Sequence, residues 1–314
     1  MWTIIVQIFP YAIAYTVPLL MTALGGLYSE RSGVVNIGLE GLMVMGMFAG
    51  AMTITRVNAA PGTAVWIGLI AAIIAGALFS LLHAFACVTL NANQVISGIA
   101  INMVAGAGTR YFARNITGSG NIQIVRGIQR TNLPILSDIP LIGPLLFRQT
   151  YATTWVALAI LAVSAFILYK TRYGLRLRAC GEHPHAADSA GVNIYRMRYS
   201  AVMISGALAG LGGGIFLTTL SGEFNGSAGG LGFLALAALI FGQWKPLGIL
   251  GATFFFGFAS TIANVSQAIP QLSRIPGIIL KTFPFVVTLL ALVAFSRSSQ
   301  APKAAGEPYD KGKR

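Results

Sequence analysis

Charged residues are scarce in this sequence. Only 9% of its 314 residues are Asp, Glu, Lys or Arg, whereas 55% are hydrophobic, and the mean hydropathy is +0.74. Soluble domains carry about 25% charged residues, and a chain this apolar would expose too much hydrophobic surface around one water-soluble core. The composition therefore predicts an all-α, polytopic membrane protein. Its 37 glycines fit this class, because small residues let membrane helices approach closely.

Residue types that build enzyme and metal sites are also few. The chain has two cysteines, Cys87 and Cys180, and three histidines, none with acidic or cysteine partners at the spacing of zinc ligands. The phosphate-binding motif G-x-x-x-x-G-K-[ST] is missing, so ATP binding of that kind is not expected. No pairing of nucleophile and base stands out. We therefore expect no enzyme activity, no metal and no cofactor.

Long apolar runs divide the chain into about nine predicted spans, within a range of about eight to ten. Each span of a bilayer needs about 20 apolar residues. The runs are roughly 4–27, 33–54, 62–88, 92–112, 151–169, 199–220, 230–243, 246–268 and 275–296. Residues 1–314 are thus expected to form a single transmembrane domain.

The basic residues predict the orientation of these spans. Segment 170–198 and the tail 297–314 are rich in Lys and Arg, and cytoplasmic loops collect such residues. This accounts for the net charge of +13 without nucleic acid as a partner. An even number of spans separates the two segments, so both are expected inside and the N-terminus outside. Several arginines in the loop 113–150 do not fit this rule.

The two halves of the chain then run in opposite directions across the membrane. The half-repeats would be about 4–112 and 199–296, joined by the connecting span 151–169, which is the arrangement of an inverted-topology repeat. Stretches 24–30 and 211–223 support this, because each interrupts a small-residue helix with a short polar, acidic sequence. The alternative is that both are ordinary turns between helices.

Polar residues inside the predicted spans are candidates for a translocation pathway. Glu40 lies in the second span, and Asn36 precedes it by four residues, which predicts a shared helical face. An acid in a span must be paired or wetted, so this face either lines the pathway or locks helices together by hydrogen bonds. Polar amides at the start of the fourth span allow the same two interpretations. The candidates are Asn36, Glu40, Asn93, Gln94, Asn102 and Glu223.

Residues 181–191, within the basic segment 170–198, are predicted to form a short capped helix. Pro184 suits a first helical turn and Gly191 a helix end. Such a helix offers a cytosolic partner a rigid docking element, with alanines as a small apolar face. The alternative is a solvated basic loop. The residues assigned to docking are Gly181, Glu182, His183, Pro184, Ala187, Asp188 and Gly191.

Three motifs carry a family resemblance. They are GGLYSERSGVVNIGLEG at 25–41, ANQVISG at 92–98 and ALAALIFG at 235–242. Together they resemble the permease subunits of nucleoside ABC importers, a group that includes ribose and branched-chain amino acid permeases. The resemblance runs from about residue 11 to 296. Helix 181–191 also resembles the family's coupling segment, which docks onto the ATPase.

The resemblance implies a type II importer fold with an inverted repeat, similar to that of the cobalamin importer. It implies the membrane-spanning permease of an ABC importer for nucleosides, embedded in lipid in a prokaryotic plasma membrane. The implied partners are a cytosolic ATP-binding subunit that hydrolyses ATP, a second related permease and an extracytoplasmic solute-binding protein. Simple sugars or another small polar solute are alternative cargoes. A secondary transporter driven by an ion gradient is the alternative of a different class, although such a carrier needs no docking helix.

Overall fold

The chain folds into packed α-helices built from its apolar runs and glycines, as seen in a computed structural model. The structure describes residues 2–312, except for 126, 133, 135–136, 138, 141–142, 266–278, 280–281, 283–285 and 287–299. The predicted ninth span, 275–296, lies almost wholly outside the described residues.

Ten helices are described. They are α1 Trp2–Arg31, α2 Leu39–Arg56, α3 Pro61–Ala84, α4 Gln94–Thr117, α5 Ala152–Lys170, α6 Arg172–Glu182, α7 Pro184–Ser189, α8 Ile194–Phe216, α9 Leu231–Phe241 and α10 Pro246–Val265. Short π-helical turns occur at Phe85–Thr89, Gly143–Phe147 and Leu217–Ser221. Strands β1 Ile122–Gln123 and β2 Glu223–Phe224 pair antiparallel.

Several helices are long and apolar enough to cross a membrane. Within the described residues there are five, namely Ile8–Arg31, Pro61–Thr89, Ala152–Lys170, Ile194–Ser221 and Pro246–Asn264. The prediction of a polytopic helical membrane protein is confirmed. The total of about nine spans and the inverted repeat stay predictions.

Two predicted segments have different boundaries in the structure. The second span was expected from residue 33, but α2 begins at Leu39, and residues 34–36 are not helical. Gly33 has a φ of +92°, a left-handed conformation that suits glycine and ends α1. Segment 170–198 is not one loop around a single helix, because it contains α6, α7 and the first turn of α8.

Close helix packing in the bundle depends on glycine. A Cβ added at Gly46 would clash with the backbone of Gly210, and one at Gly76 would clash with the carbonyl oxygen of Gly206. Thus α2 and α3 both pack directly on the backbone of α8. Membrane helices have little hydrophobic drive to associate, so such van der Waals contact contributes much of their packing energy.

The connecting segments lie at two ends of the bundle. We call one end the tail face, and it comprises residues 29–35, 170–198, 242–245 and 300–312. There Ala304 N donates to Gly181 O at 2.9 Å and Gly306 N to Gly33 O at 3.1 Å. We call the other end the strand face, and it comprises residues 118–125, 127–131 and 217–227. Segment 170–198 and residues 300–312 of the basic tail therefore share one face, as their charge predicted.

Candidate translocation and docking sites

A non-helical stretch, residues 34–37, which we call the extended segment, replaces the first turns of the predicted second span. Its backbone groups are bonded by side chains instead of by a helix. Val35 N donates to Gln94 Oε1 at 2.6 Å, and His83 Nε2 lies 3.1 Å from Val35 O. Because unpaired backbone groups are costly in a membrane, these side chains make the helix break tolerable.

Asn102 of α4 binds the same segment nearer to α2. Its Nδ2 donates to Ile37 O at 3.0 Å, and its Oδ1 accepts from Gly41 N at 2.7 Å. One side-chain amide therefore joins the extended segment to the first turn of α2. The amide group thus both donates and accepts a hydrogen bond in this bridge.

Asn36 fixes the middle of the extended segment. It is fully buried, and its Nδ2 donates to Ser205 Oγ of α8 at 3.0 Å. The prediction that Asn36 and Glu40 share a helical face is wrong, because Asn36 precedes α2 and is not helical. A run of valine and isoleucine looks equally apolar in a helix and in an extended segment.

Glu40 binds the N-terminal end of α9. Its two carboxylate oxygens accept from Gly230 N at 2.9 Å and Gly232 N at 2.7 Å. The first N–H groups of a helix lack intrahelical partners, and an anion there also complements the helix dipole. The hydrogen-bond lock proposed for Glu40 is thus present in the structure. A contact between Glu40 and a solute stays a prediction.

The six pathway candidates do not form one cluster. Asn36, Glu40, Gln94 and Asn102 meet around the extended segment. Asn93 instead caps α4, where its Oδ1 accepts from Val95 N at 3.0 Å and Ile96 N at 3.1 Å. Glu223 lies in β2 opposite Gln123, on the strand face.

Helix α9 is short, with 11 residues. At 1.5 Å per residue it spans about 16 Å, or roughly half of a hydrocarbon core. A cavity of about 310 Å³ lies beside its N-terminal end, lined in part by Tyr15, Gly229, Gly230, Leu231 and Asn264. The half-helix thus begins beside an open cavity and ends at the tail face.

The turn that follows α9 is bound by the end of α1. Trp244 Nε1 donates to the Glu30 carboxylate, and both side chains are buried. Arg31 donates to Trp244 O from Nη2 at 2.8 Å and from Nε at 3.2 Å. Glu30 was expected in an interruption of the helix, but α1 continues through it to Arg31. No role was predicted for Arg31 or Trp244.

The predicted docking helix is present but is divided. Helix α6 ends at Glu182, and Pro184 occupies the first turn of the six-residue α7. Gly191 has a φ of +81°, consistent with the predicted helix end. His183 connects the two helices and is exposed.

Ala187 does not face outward as expected. It is only 5% exposed and packs in a cluster with Cys180, Ile194 and Tyr309. The apolar surface that α7 offers a partner therefore excludes Ala187, whereas Ala186 is exposed. The prediction was wrong because Tyr309, more than a hundred positions later in the chain, covers this side of α7.

The tail packs against the docking helix α7. The Tyr309 ring lies 5.2 Å from that of His185 and 5.7 Å from that of Tyr195. Burial raises the pKa of Tyr309 to about 12, and the adjacent Asp188 carboxylate adds to this shift. A groove of about 820 Å³ opens here, lined in part by His185, Asp188, Tyr195, Tyr309 and Lys311. The tail was predicted only as a basic segment, so its place in this groove is new.

Arg198 fastens the tail to the bundle. Its side chain is buried, with the residue 1% exposed. Its Nη1 donates to Glu307 O at 3.0 Å and its Nε to Ser32 O at 3.3 Å. A buried guanidinium needs such acceptors, because leaving it unpaired is costly.

Comparison with known proteins identifies the chain. It matches the family described as "Branched-chain amino acid transport system / permease component" over residues 8–293. It is 47% identical over 310 residues to the guanosine ABC transporter permease protein NupQ of Bacillus subtilis (strain 168), covering 98% of this chain and 97% of that protein. The chain belongs to this permease family. The resemblance inferred from its motifs is confirmed, and the permease is a multi-pass plasma membrane protein.

Further relatives of the permease differ in their described cargo. The nucleoside ABC transporter permease protein NupC of Lactococcus lactis subsp. cremoris (strain MG1363) is 40% identical over 301 residues, 95% of each chain. The putative glucose ABC transporter permease protein TsgC13 of Haloferax volcanii is 33% identical over 296 residues, 87% of each chain. A second guanosine permease protein of the same Bacillus subtilis strain, NupP, is 26% identical over 247 residues, 76% of this chain and 69% of that protein.

Proposed function

We propose that the permease is the membrane-spanning subunit of an ABC importer for nucleosides. The observation that carries this proposal is 47% identity to a guanosine permease across nearly the whole of both chains. The second relative, at 40%, is described for nucleosides as well. The glucose relative is less similar, at 33%. Nucleosides are therefore favoured over sugars.

A separate ATP-binding subunit is proposed to dock on the tail face, which would then be cytoplasmic. The groove beside α7 supports this site, because Asp188 and Lys311 give it charges of both signs. Of the residues assigned to docking, His183 is exposed and Glu182 and Asp188 are partly exposed. Gly181 and Ala187 are buried and would act by holding α6 and α7 in place. ATP hydrolysis would belong to the docked subunit.

A second permease is proposed to pack against α4. NupP and NupQ, two guanosine permease proteins of one organism, support a pair of different permeases. Helix α4 exposes large apolar side chains, including Ile96 and Met103. A Cβ added at Gly106 or Gly108 would meet nothing within 4 Å. Small residues beside apolar ones suit close contact with another membrane helix.

The solute pathway is proposed to pass the junction between the extended segment and the start of α9. Irregular backbone within a membrane is tolerated where it is buried or lines a cavity, and the 310 Å³ cavity adjoins α9. Asn36, Gln94 and Asn102 would shape this region and Glu40 would position α9. The strand face would then be external and would receive the solute-binding protein.

Uptake competition tests the proposed cargo. Cells without nucleoside importers would express the permease with its partner permease, ATPase and solute-binding protein. We expect uptake of labelled guanosine, inhibited by unlabelled nucleosides and not by glucose or leucine. Cells without the solute-binding protein are the control. No guanosine uptake above this control, together with specific uptake of labelled glucose, would contradict the assignment.

A further inference from the structure

Half-helix α9 is held at both ends by charged side chains from the first part of the chain. Glu40 accepts from Gly230 N and Gly232 N at its N-terminal end. Arg31 donates two hydrogen bonds to the carbonyl oxygen of Trp244, just beyond its C-terminal end. An anion at the N-terminus and a cation near the C-terminus both complement the helix dipole. These contacts hold α9 as one body.

The turn after α9 is tied closely to the end of α1. Arg31 binds the main chain of Trp244, while Glu30 accepts a hydrogen bond from the indole. Glu30 is 7% exposed and Trp244 is 5% exposed, so water competes little for these bonds. A displacement of the α1 end would therefore carry this turn with it.

The same end of α1 is in direct contact with the helix that leads into α7. A Cβ added at Gly181 would clash with the carbonyl oxygen of Arg31, so α6 rests on the α1 backbone. On the other side of the guanidinium, Arg31 Nη1 lies 3.8 Å from Glu182 Oε1. The Glu182 side chain is 42% exposed, so this ion pair alone contributes little energy. The backbone contact supplies the rigidity, and the two hydrogen bonds to Trp244 O set the direction of the guanidinium.

We propose that Arg31 is a positioning residue that transmits movement of the docking helix α7 to half-helix α9. The order of contact is α7, the end of α6, Arg31, the Trp244 turn and α9, whose other end is bound by Glu40. Arginine suits this position because its planar group presents several donors in a fixed fork, so both contacts depend on one rigid unit. Energetic coupling between distant sites travels through such packed and bonded elements. The inference rests on the proposed function.

The test uses the complete importer in proteoliposomes, with both permeases, the ATPase and the solute-binding protein. The readouts are the ratio of ATPase rates with and without guanosine-loaded binding protein, and guanosine uptake per ATP. For Arg31→Gln we expect each to fall roughly 5-fold or more, the lower end of usual coupling effects. The unstimulated ATPase rate should change little. Arg31→Lys should give an intermediate value, because one ammonium cannot hold both contacts as a fork.

Two further variants separate transmission from folding. Lys245→Gln is the matched control, because Lys245 is exposed in the same turn, and it should behave as wild type. Gly181→Ala separates α6 from Arg31 and keeps every side chain that binds α9, and it should lower the same ratio.

Each outcome decides the proposal. A wild-type ratio in assembled Arg31→Gln overturns it. If Arg31→Gln does not assemble, a wild-type ratio in Gly181→Ala overturns the proposal. If neither variant assembles, the proposal also fails, because the junction then serves only to hold the fold. Stimulation of the wild-type complex by another solute, but not by guanosine, would refute only the cargo assignment. The same ratio would then still test Arg31.

Discussion

Replacing Glu40 tests the contact that joins α2 to α9. The carboxylate accepts two backbone hydrogen bonds, at 2.9 and 2.7 Å. Bonds to a charged group contribute about 1.5–3 kcal/mol each. Glu40→Leu removes both and leaves two N–H groups without this acceptor, so we expect a loss of roughly 3–6 kcal/mol. Glu40→Gln keeps one acceptor oxygen and the side-chain shape, so its loss should be about half as large.

Thermal unfolding of the purified permease in detergent measures this difference. At about 2–4 °C per kcal/mol for domains of 150–250 residues, Glu40→Leu should lower the apparent Tm by roughly 10 °C and Glu40→Gln by roughly half of that. Glu223→Gln is the matched control, because no side-chain hydrogen bond of Glu223 is seen among the described residues. An unchanged Tm in Glu40→Leu would refute the assignment of Glu40 as the residue that holds α9.

Three other predictions concern packing, the tail and the orientation. Gly46→Ala should lower the apparent Tm by several degrees because its Cβ meets the α8 backbone, whereas Gly106→Ala, with open space around it, should not. Equal effects of the two substitutions would contradict this packing. Tyr309→Ala should reduce ATP-driven uptake while Tyr309→Phe, which keeps the ring, should not; a wild-type rate in both would remove the tail from coupling. Cysteines introduced at His185 and Ala305 should resist an impermeant thiol reagent outside intact cells, while one on the strand face reacts; external labelling at either position would reverse the proposed orientation.

Much of the helix pattern could be predicted from the sequence because lipid imposes long apolar runs. The run 152–170 lies within one residue of the expected connecting span. Apolar character alone could not reveal the extended segment before α2, because its valines and isoleucine suit either conformation. Gln94 and Asn102, some 60 positions later, bind the main chain of this segment.

Part of the candidate site could also be predicted, at the level of residue type. An acid in a span must have a partner, and this drew attention to Glu40. Its partners are main-chain N–H groups 190 and 192 positions later. Every residue except proline has such a group, so residue type does not show which of them binds Glu40. Burial of Ala187 likewise depends on the return of the tail to α7, which no local pattern encodes.

Measuring which energy source drives transport tests the proposed importer function most directly. Proteoliposomes containing both permeases and the ATPase would receive labelled guanosine and solute-binding protein outside and ATP inside. We expect uptake that requires ATP and the ATPase subunit and that persists when ionophores abolish ion gradients. Uptake by the permease without the ATPase, driven by a proton or sodium gradient, would contradict it.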